Sequence, residues 1–196
     1  MPAPERLIVG ITGASGAVYG VRLLEVLRPA AIETHLVMSE TAKRVALLET
    51  GRSAAQVGAL ADAVHSNDDL EASIASGSFR TTGMVVVPCS IKSLSAIAHC
   101  YNETLLVRAA DVTLKERRRL VLVVRETPLH LGHLRLMAAV AEYGAVVLPP
   151  IPGFYHEPQT VADLVDHTVG KILDQFGIEH GLYKRWEGRD GATGLR

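Results

Sequence analysis

The residues best able to do chemistry lie at the ends of short apolar runs. The first run, LIVGIT (7–12), delivers Gly13, Ala14, Ser15 and Gly16, and the second, THLVMS (34–39), ends on Ser39. The third, MVVVPC (84–89), is followed by Ser90, Ile91, Lys92 and Ser93, and the fourth, LVLVVRE (120–126), closes on Arg125 and Glu126. A fifth, AVVLPP (145–150), runs into a proline-rich loop that carries Tyr155. Small hydroxylated residues, backbone amides at helix starts and one arginine are a set that suits a phosphate. Glycines let a backbone approach a ligand closely, and a helix start adds partial positive charge. The same glycines equally make a tight strand-to-helix turn. GITGASGAVYG lacks the GxGxxG spacing of a dinucleotide site, and no Gly-Lys-Ser/Thr follows to make a P-loop.

Glu126 directly follows Arg125, where a carboxylate can orient a polar ligand or shuttle a proton. It can equally pair with Arg125 and do no more than close a sheet edge. Glu49, in LLET, falls near a helix end, where a solvated charge is the default. Arg108 and Lys115 are seven residues apart and project from one helical face. They could point two cations at one anion or form a solvated basic stripe. His130 and His133 form an HxxH pair at helical spacing, but a metal site needs a third ligand and none is evident. Cys89, after Pro88 at a strand end, reads as a buried inert thiol with no cation beside it to lower its pKa.

The elements that must position these residues follow from periodicity. The five runs are nearly continuous in apolar character, as in strands buried on both faces. Between them lie helical patterns at 17–28, 102–117, 130–143 and 160–178, the last with Thr160 and Asp163 as a capping-box start and Gly177 as its end. Alternation of strand and helix predicts a three-layer α/β fold, Rossmann-like or flavodoxin-like, with a parallel sheet and helices on both faces. Residues 40–80 read as helices and a loop. One domain spans 1–187, and the tail 188–196 is expected to be disordered. A net charge of −1 argues against nucleic acid and an acidic membrane surface. Two cysteines outside any CxxC pair and the lack of a long apolar segment point to a reduced, soluble, cytoplasmic chain.

Together these segments resemble the UbiX-type flavin prenyltransferases, also described as aromatic acid decarboxylases. The resemblance rests on GITGASGAVYG, ETHLVMS, LLET, GSFRTTGMVVVPCSIKSLSAIAH, LLVRAADVTLKERRRLVLVVRETPLHLGHLRLM and PPIPGFYHEPQT, in that order from about residue 6 to 187. It implies that reduced FMN is a substrate, joined at N5 and then C6 to the dimethylallyl group of dimethylallyl phosphate, with release of phosphate and no metal. The prenylated FMN would pass to a UbiD-type decarboxylase, as in ubiquinone biosynthesis. It implies a homododecamer whose sites are built from neighbouring subunits. By the same resemblance Gly13, Ala14, Ser15, Ser39, Ser90, Ile91, Lys92, Ser93 and Arg125 contact the flavin. Ser15 and Glu126 handle protons, and Glu49, Arg108 and Lys115 match further active-site positions. Tyr155 binds the prenyl donor, and Trp186 matches an aromatic near the prenyl group. Two positions depart from the common pattern: Lys171 stands where many members have the phosphate-binding Arg, and Ser93 where Thr is frequent.

Two other functions compete with this reading. A non-catalytic FMN carrier subunit of a decarboxylase would not need Glu126, Tyr155 and a cation at 171 together. An FMN-dependent peptidyl-cysteine decarboxylase would carry a Pro-x-Met-Asn type motif, which is absent. An NAD(P) reductase fails on the missing fingerprint, since Tyr155 is followed by Gln159 rather than Lys at the Tyr-x-x-x-Lys spacing.

Overall fold

The apolar runs form strands, and every strand pairing is parallel. The computed structural model describes residues 5–186 and Gly188, so the expected disordered tail lies, apart from Gly188, outside the described residues. The strands are β1 (Glu5–Ile11), β2 (Ile32–Met38), β3 (Ala63–His65), β4 (Gly83–Cys89), β5 (Arg119–Val124) and β6 (Val146–Val147). Their order across the sheet is β3-β2-β1-β4-β5-β6. This is the Rossmann order; without the three-residue edge strand β3 the remaining five read as the flavodoxin order. The helices are α1 (Ala17–Leu27), α2 (Glu40–Thr50), α3 (Ala54–Gly58), α4 (Ile91–Ala98), α5 (Leu105–Lys115), α6 (Leu131–Glu142) and α7 (Val161–Gln175).

Side chains alternate across the sheet and so build two cores. Leu7, Val9, Ile11, Val85, Val87, Val121 and Val123 face one side, where α1 and α7 cover them with Val21, Leu24, Val169 and Leu173. Ile8, Met84, Val86, Leu120 and Leu122 face the other, under Leu94 and Ile97 of α4 and Leu105, Leu106 and Ala109 of α5. Each such side chain contributes about 1.5–3 kcal/mol on burial. Gly20 lets α1 lie directly on β4, since a Cβ there would stand 2.6 Å from the Val87 carbonyl oxygen.

Three details differ from the sequence reading. The stretch 40–80, expected to hold helices and a loop, also contains β3, an edge strand too short to show a period. α4 is a helix that periodicity did not single out, begun by Ser90, whose hydroxyl accepts from the Ser93 N–H. The run 145–150 pairs only at Val146 and Val147, because the prolines that follow cannot donate to a ladder. The start of α7 is as expected: Thr160 and Asp163 form a reciprocal capping box, and Gly177 takes a left-handed φ of 68° just beyond the helix.

Candidate active site

At the β1/β4 switch point, adjacent parallel strands lead to helices in opposite directions and leave a crevice beyond their carboxyl ends. Thr12 ties the two strand ends together. Its buried hydroxyl donates to the Pro88 carbonyl at 2.7 Å and accepts the Ser90 N–H at 2.7 Å. The Ser39 N–H donates to the Ile11 carbonyl at 3.0 Å, and the Arg125 N–H to the Cys89 carbonyl at 3.1 Å. Main-chain bonds therefore bring Gly13–Ser15, Ser39, Ser90–Ser93 and Arg125 to one edge. Ser39 and Ser90 are N-caps of α2 and α4, their hydroxyls accepting from Ala42 and Ser93 N–H groups. Lys92 is exposed on the first turn of α4.

The start of α1 carries a local charge of its own. The Glu49 carboxylate, from the last turn of α2, accepts both the Gly16 N–H (2.9 and 3.1 Å) and the Ala17 N–H (2.8 Å). It satisfies amides that a helix start leaves unpaired and neutralises part of the helix dipole. Glu49 is thus not merely a solvated charge, and the α1 amides expected to face a ligand phosphate are already taken. Gly16 holds φ 109°, which favours glycine, and Gly13 lies so close to α2 that a Cβ would stand 2.5 Å from Thr41 Cγ2. Ser15 projects between them, exposed. The turn made by these glycines leaves Ser15 on the surface at the crevice edge.

Arg125 and Glu126 form no ion pair among the described residues. Glu126 is exposed and accepts only the N–H of Thr127, at 3.0 Å. Tyr19, which the sequence reading missed, stacks against Gly16 one turn into α1. Burial raises its phenol pKa, Arg125 opposes that rise and Glu49 adds to it. Thr12 was also missed. Its signal was a polar residue closing an otherwise apolar strand. The thiol of Cys89 is buried and pushed up to about 12 by desolvation, as an inert thiol should be.

A second cluster forms around α7. The Tyr155 hydroxyl lies 3.2 Å from His167 Nε2, and the Tyr155 ring meets the Trp186 ring edge-on at 6.4 Å. Lys171, one turn beyond His167, stands 3.6 Å from Asp174 and remains 47% exposed at its side chain. Burial works against the Asp174 charge, but hydrogen bonds from Tyr183, Arg185 and His180 outweigh it and hold the carboxyl down at about 2.

No hydrogen bond or ion pair joins the two clusters among the described residues. Arg22 of α1 grips Asp166 of α7 at 2.7 and 3.2 Å, which sets the helices side by side. Lys171 lies five residues further along α7, about 7.5 Å along its axis. Arg108 and Lys115 share a face as expected, beside Ala75 and Gly77, but neither reaches the crevice. Arg108 is held by the Ala75 carbonyl at 3.2 Å and by Asp111 at 3.1 Å, and Lys115 pairs with Glu116 near the opposite edge, where β5 begins. His130 caps α6, accepting the Gly132 N–H, and its ring lies tilted against His133 at 34°. No group of three metal-ligating side chains occurs among the described residues.

Comparison with known proteins resolves the reading. The Flavoprotein family model matches residues 2–173. The flavin prenyltransferase UbiX of Escherichia coli K12 is 62% identical over 187 residues, covering 94% of this chain and 99% of that protein. A crystal structure of AnUbiX in complex with FMN and dimethylallyl pyrophosphate has a TM-score of 0.93 at 49% identity, over 95% of this chain and 99% of that one. The chain belongs to the UbiX flavin prenyltransferase family. A second UbiX-like structure, a dodecameric FMN-dependent decarboxylase from Escherichia coli O157:H7, has a TM-score of 0.92 at 54% identity, over 94% of this chain and all of that one. The FMN-dependent cysteine decarboxylase SpaF, at 17% identity and a TM-score of 0.60, shares the fold alone. The UbiX fold accounts for both the flavodoxin-like sheet and the loop set at its carboxyl edge.

Proposed function

We propose that this chain joins the dimethylallyl group of dimethylallyl phosphate to reduced FMN, first at N5 and then at C6, and releases inorganic phosphate. The near-complete match to the UbiX family carries the reading, and the crevice geometry supports its assignment to residues. Gly13, Ala14, Ser15, Ser39, Ser90, Ile91, Lys92, Ser93 and Arg125 hold the FMN. Because Glu49 occupies the α1 amides, the starts of α2 and α4, with the Lys92 charge, are the ones left for an anion. Glu49 keeps Gly16 and hence Ser15 in position.

The C–O bond to phosphate breaks as the N5–C bond forms, and the electron pair leaves with phosphate. Developing negative charge on the leaving oxygen is met by Lys171 and the Tyr155 hydroxyl. The allylic fragment gains cationic character, which aromatic faces such as Trp186 stabilise. N5 gives up its proton as it is alkylated; ring closure then adds a proton to one carbon of the prenyl double bond, joins C6 to the other and releases the C6 proton, and Glu126, exposed and free of Arg125, takes up and returns these protons with Ser15.

Within one chain no hydrogen bond among the described residues joins the donor cluster to the flavin crevice, so we assign a complete site to neighbouring subunits, with Arg108 and Lys115 reaching a partner's crevice. The dodecameric relative supports this, as does the apolar face of α6, where only Val140 is fully buried while Leu131 and Leu134 are 60% and 49% exposed. Prenylated FMN then passes to a UbiD-type decarboxylase. A cytoplasmic location is supported by two free cysteines, and no described helix is long and apolar enough to cross a membrane.

The test is mass spectrometry of the flavin after anaerobic incubation with reduced FMN and dimethylallyl phosphate. A flavin heavier by one five-carbon unit, with phosphate released, is the expected outcome. Unmodified FMN that stays bound would favour the carrier reading instead.

A further inference from the structure

His167 is 8% exposed on α7 and is enclosed by rings. His156 stacks on it at 4.6 Å and 8°, Tyr183 tilts against it at 4.8 Å, and Tyr155 meets it edge-on at 5.7 Å. Gly153 closes the remaining side, where a Cβ would stand 3.2 Å from its Cε1. Its Nε2 lies 3.2 Å from the Tyr155 hydroxyl, while its Nδ1 and both ring nitrogens of His156 are buried with no hydrogen-bond partner among the described residues.

The bare Nδ1 decides the direction of the Tyr155 contact. If Nε2 accepted the phenol proton, a neutral His167 would carry its own proton on Nδ1, as a buried N–H with nothing to receive it. Orphaned buried donors are rarer than under-satisfied acceptors. The alternative tautomer places the proton on Nε2 and leaves only a lone pair at Nδ1. In that arrangement the imidazole donates to the phenol oxygen, and the phenol's own proton stays free to point outward.

We propose that His167 is a positioning residue for Tyr155: as the Nε2–H tautomer it donates to the phenol oxygen and so reserves the phenol proton for an anionic ligand. This rests on the reading above, in which that ligand is the phosphate of the prenyl donor. Burial first, and then the charges of His156 and Lys171, hold the His167 imidazole below its usual pKa against the pull of Asp174, which agrees with a neutral ring. Of the other charged groups nearby, Asp163 is held in the α7 capping box and Arg22 and Asp166 pair with each other. Lys171 lies one turn further along α7 and offers a cation to the same anion, while Tyr155 supplies a directed hydrogen bond.

A double-mutant cycle tests this. His167→Phe and Tyr155→Phe should each lower kcat/KM for dimethylallyl phosphate by about tenfold, the effect of one lost hydrogen bond. The double variant should be no worse than either single one, because both remove the same interaction. His167→Gln, whose amide N–H can replace the Nε2 donor, should stay within about threefold of the parent. The same cycle is read by calorimetry with inorganic phosphate on the FMN-loaded protein, which reports without turnover. Additive losses, or a Gln variant as impaired as Phe, would overturn the positioning role. A parent that binds phosphate and follows the cycle but forms no prenylated flavin would retain His167's role and sink the prenyl-transfer reading instead. A phosphate affinity unchanged in every variant would overturn the role of His167.

Discussion

The β1/β4 crevice and the α7 ring cluster are held by different forces. In the crevice, backbone amides and carbonyls are bonded across strand ends through Thr12, Ser39 and Arg125, and Glu49 closes the α1 start. Most of these bonds are main-chain, with the Thr12 hydroxyl and the Glu49 carboxylate as the side-chain members. Around α7, rings touch rings, and both ring nitrogens of His156 and the Nδ1 of His167 are buried without partners among the described residues. Such a cluster is only partly satisfied in the isolated chain, and an incoming anion or subunit can complete it. A site that must hold a flavin through two bond-forming steps gains from main-chain rigidity. One that admits a donor and releases phosphate gains from side chains that can re-pair.

The largest expected effect breaks the rigid half. Gly13→Ala forces a methyl group against Thr41 and should weaken FMN binding by about tenfold or more, since overpacking costs ~1–3 kcal/mol. Fluorescence titration of FMN reads this. Unchanged affinity would mean that the β1–α1 loop is far softer than its contacts imply. If the α7 region is side-chain-held, Asp174 should make it sensitive to acid.

Its folded pKa of about 2 is below the ordinary 3.8, so its stabilisation is complete above pH 4 and is lost as pH falls through about 2. Thermal unfolding followed down this range should show a decline that Asp174→Asn removes. An identical decline in the variant would assign the acid sensitivity elsewhere. The smallest effect sharpens the donor side. Lys171→Arg keeps the charge and adds a planar fork, and should lower KM for dimethylallyl phosphate by about threefold with activity retained. An unchanged or raised KM would refute the view that Lys171 binds the donor phosphate less well than Arg.

Legibility in the sequence followed the same division. The crevice was readable because strand-end chemistry is local: an apolar run, then glycines or a hydroxyl, then a helix start. Gly13, Ser39, Ser90 and Arg125 therefore arrive at one edge once the strands are taken as parallel. Tyr19 escaped because nothing in GAVYG tells a packing tyrosine from one that feels two charges. His167 escaped because a lone histidine on an apolar helix face carries no mark of its partners. Its enclosure comes from Gly153, Tyr155, His156 and Tyr183, contributed by a loop and a terminal segment with no period. The short β3 was missed because three residues cannot show alternation.

The amino-acid sequence by itself determined the parallel α/β architecture, the capping box of α7 and the residues offered at each strand end, because these depend on local periodicity and backbone preference. Only the tertiary structure decided that Glu49 reaches across to seal α1, that Thr12 bridges two strands, and that rings from a loop, α7 and a terminal segment close around His167. Those are contacts between residues far apart in the chain, and their geometry follows from how helices pack on a twisted sheet.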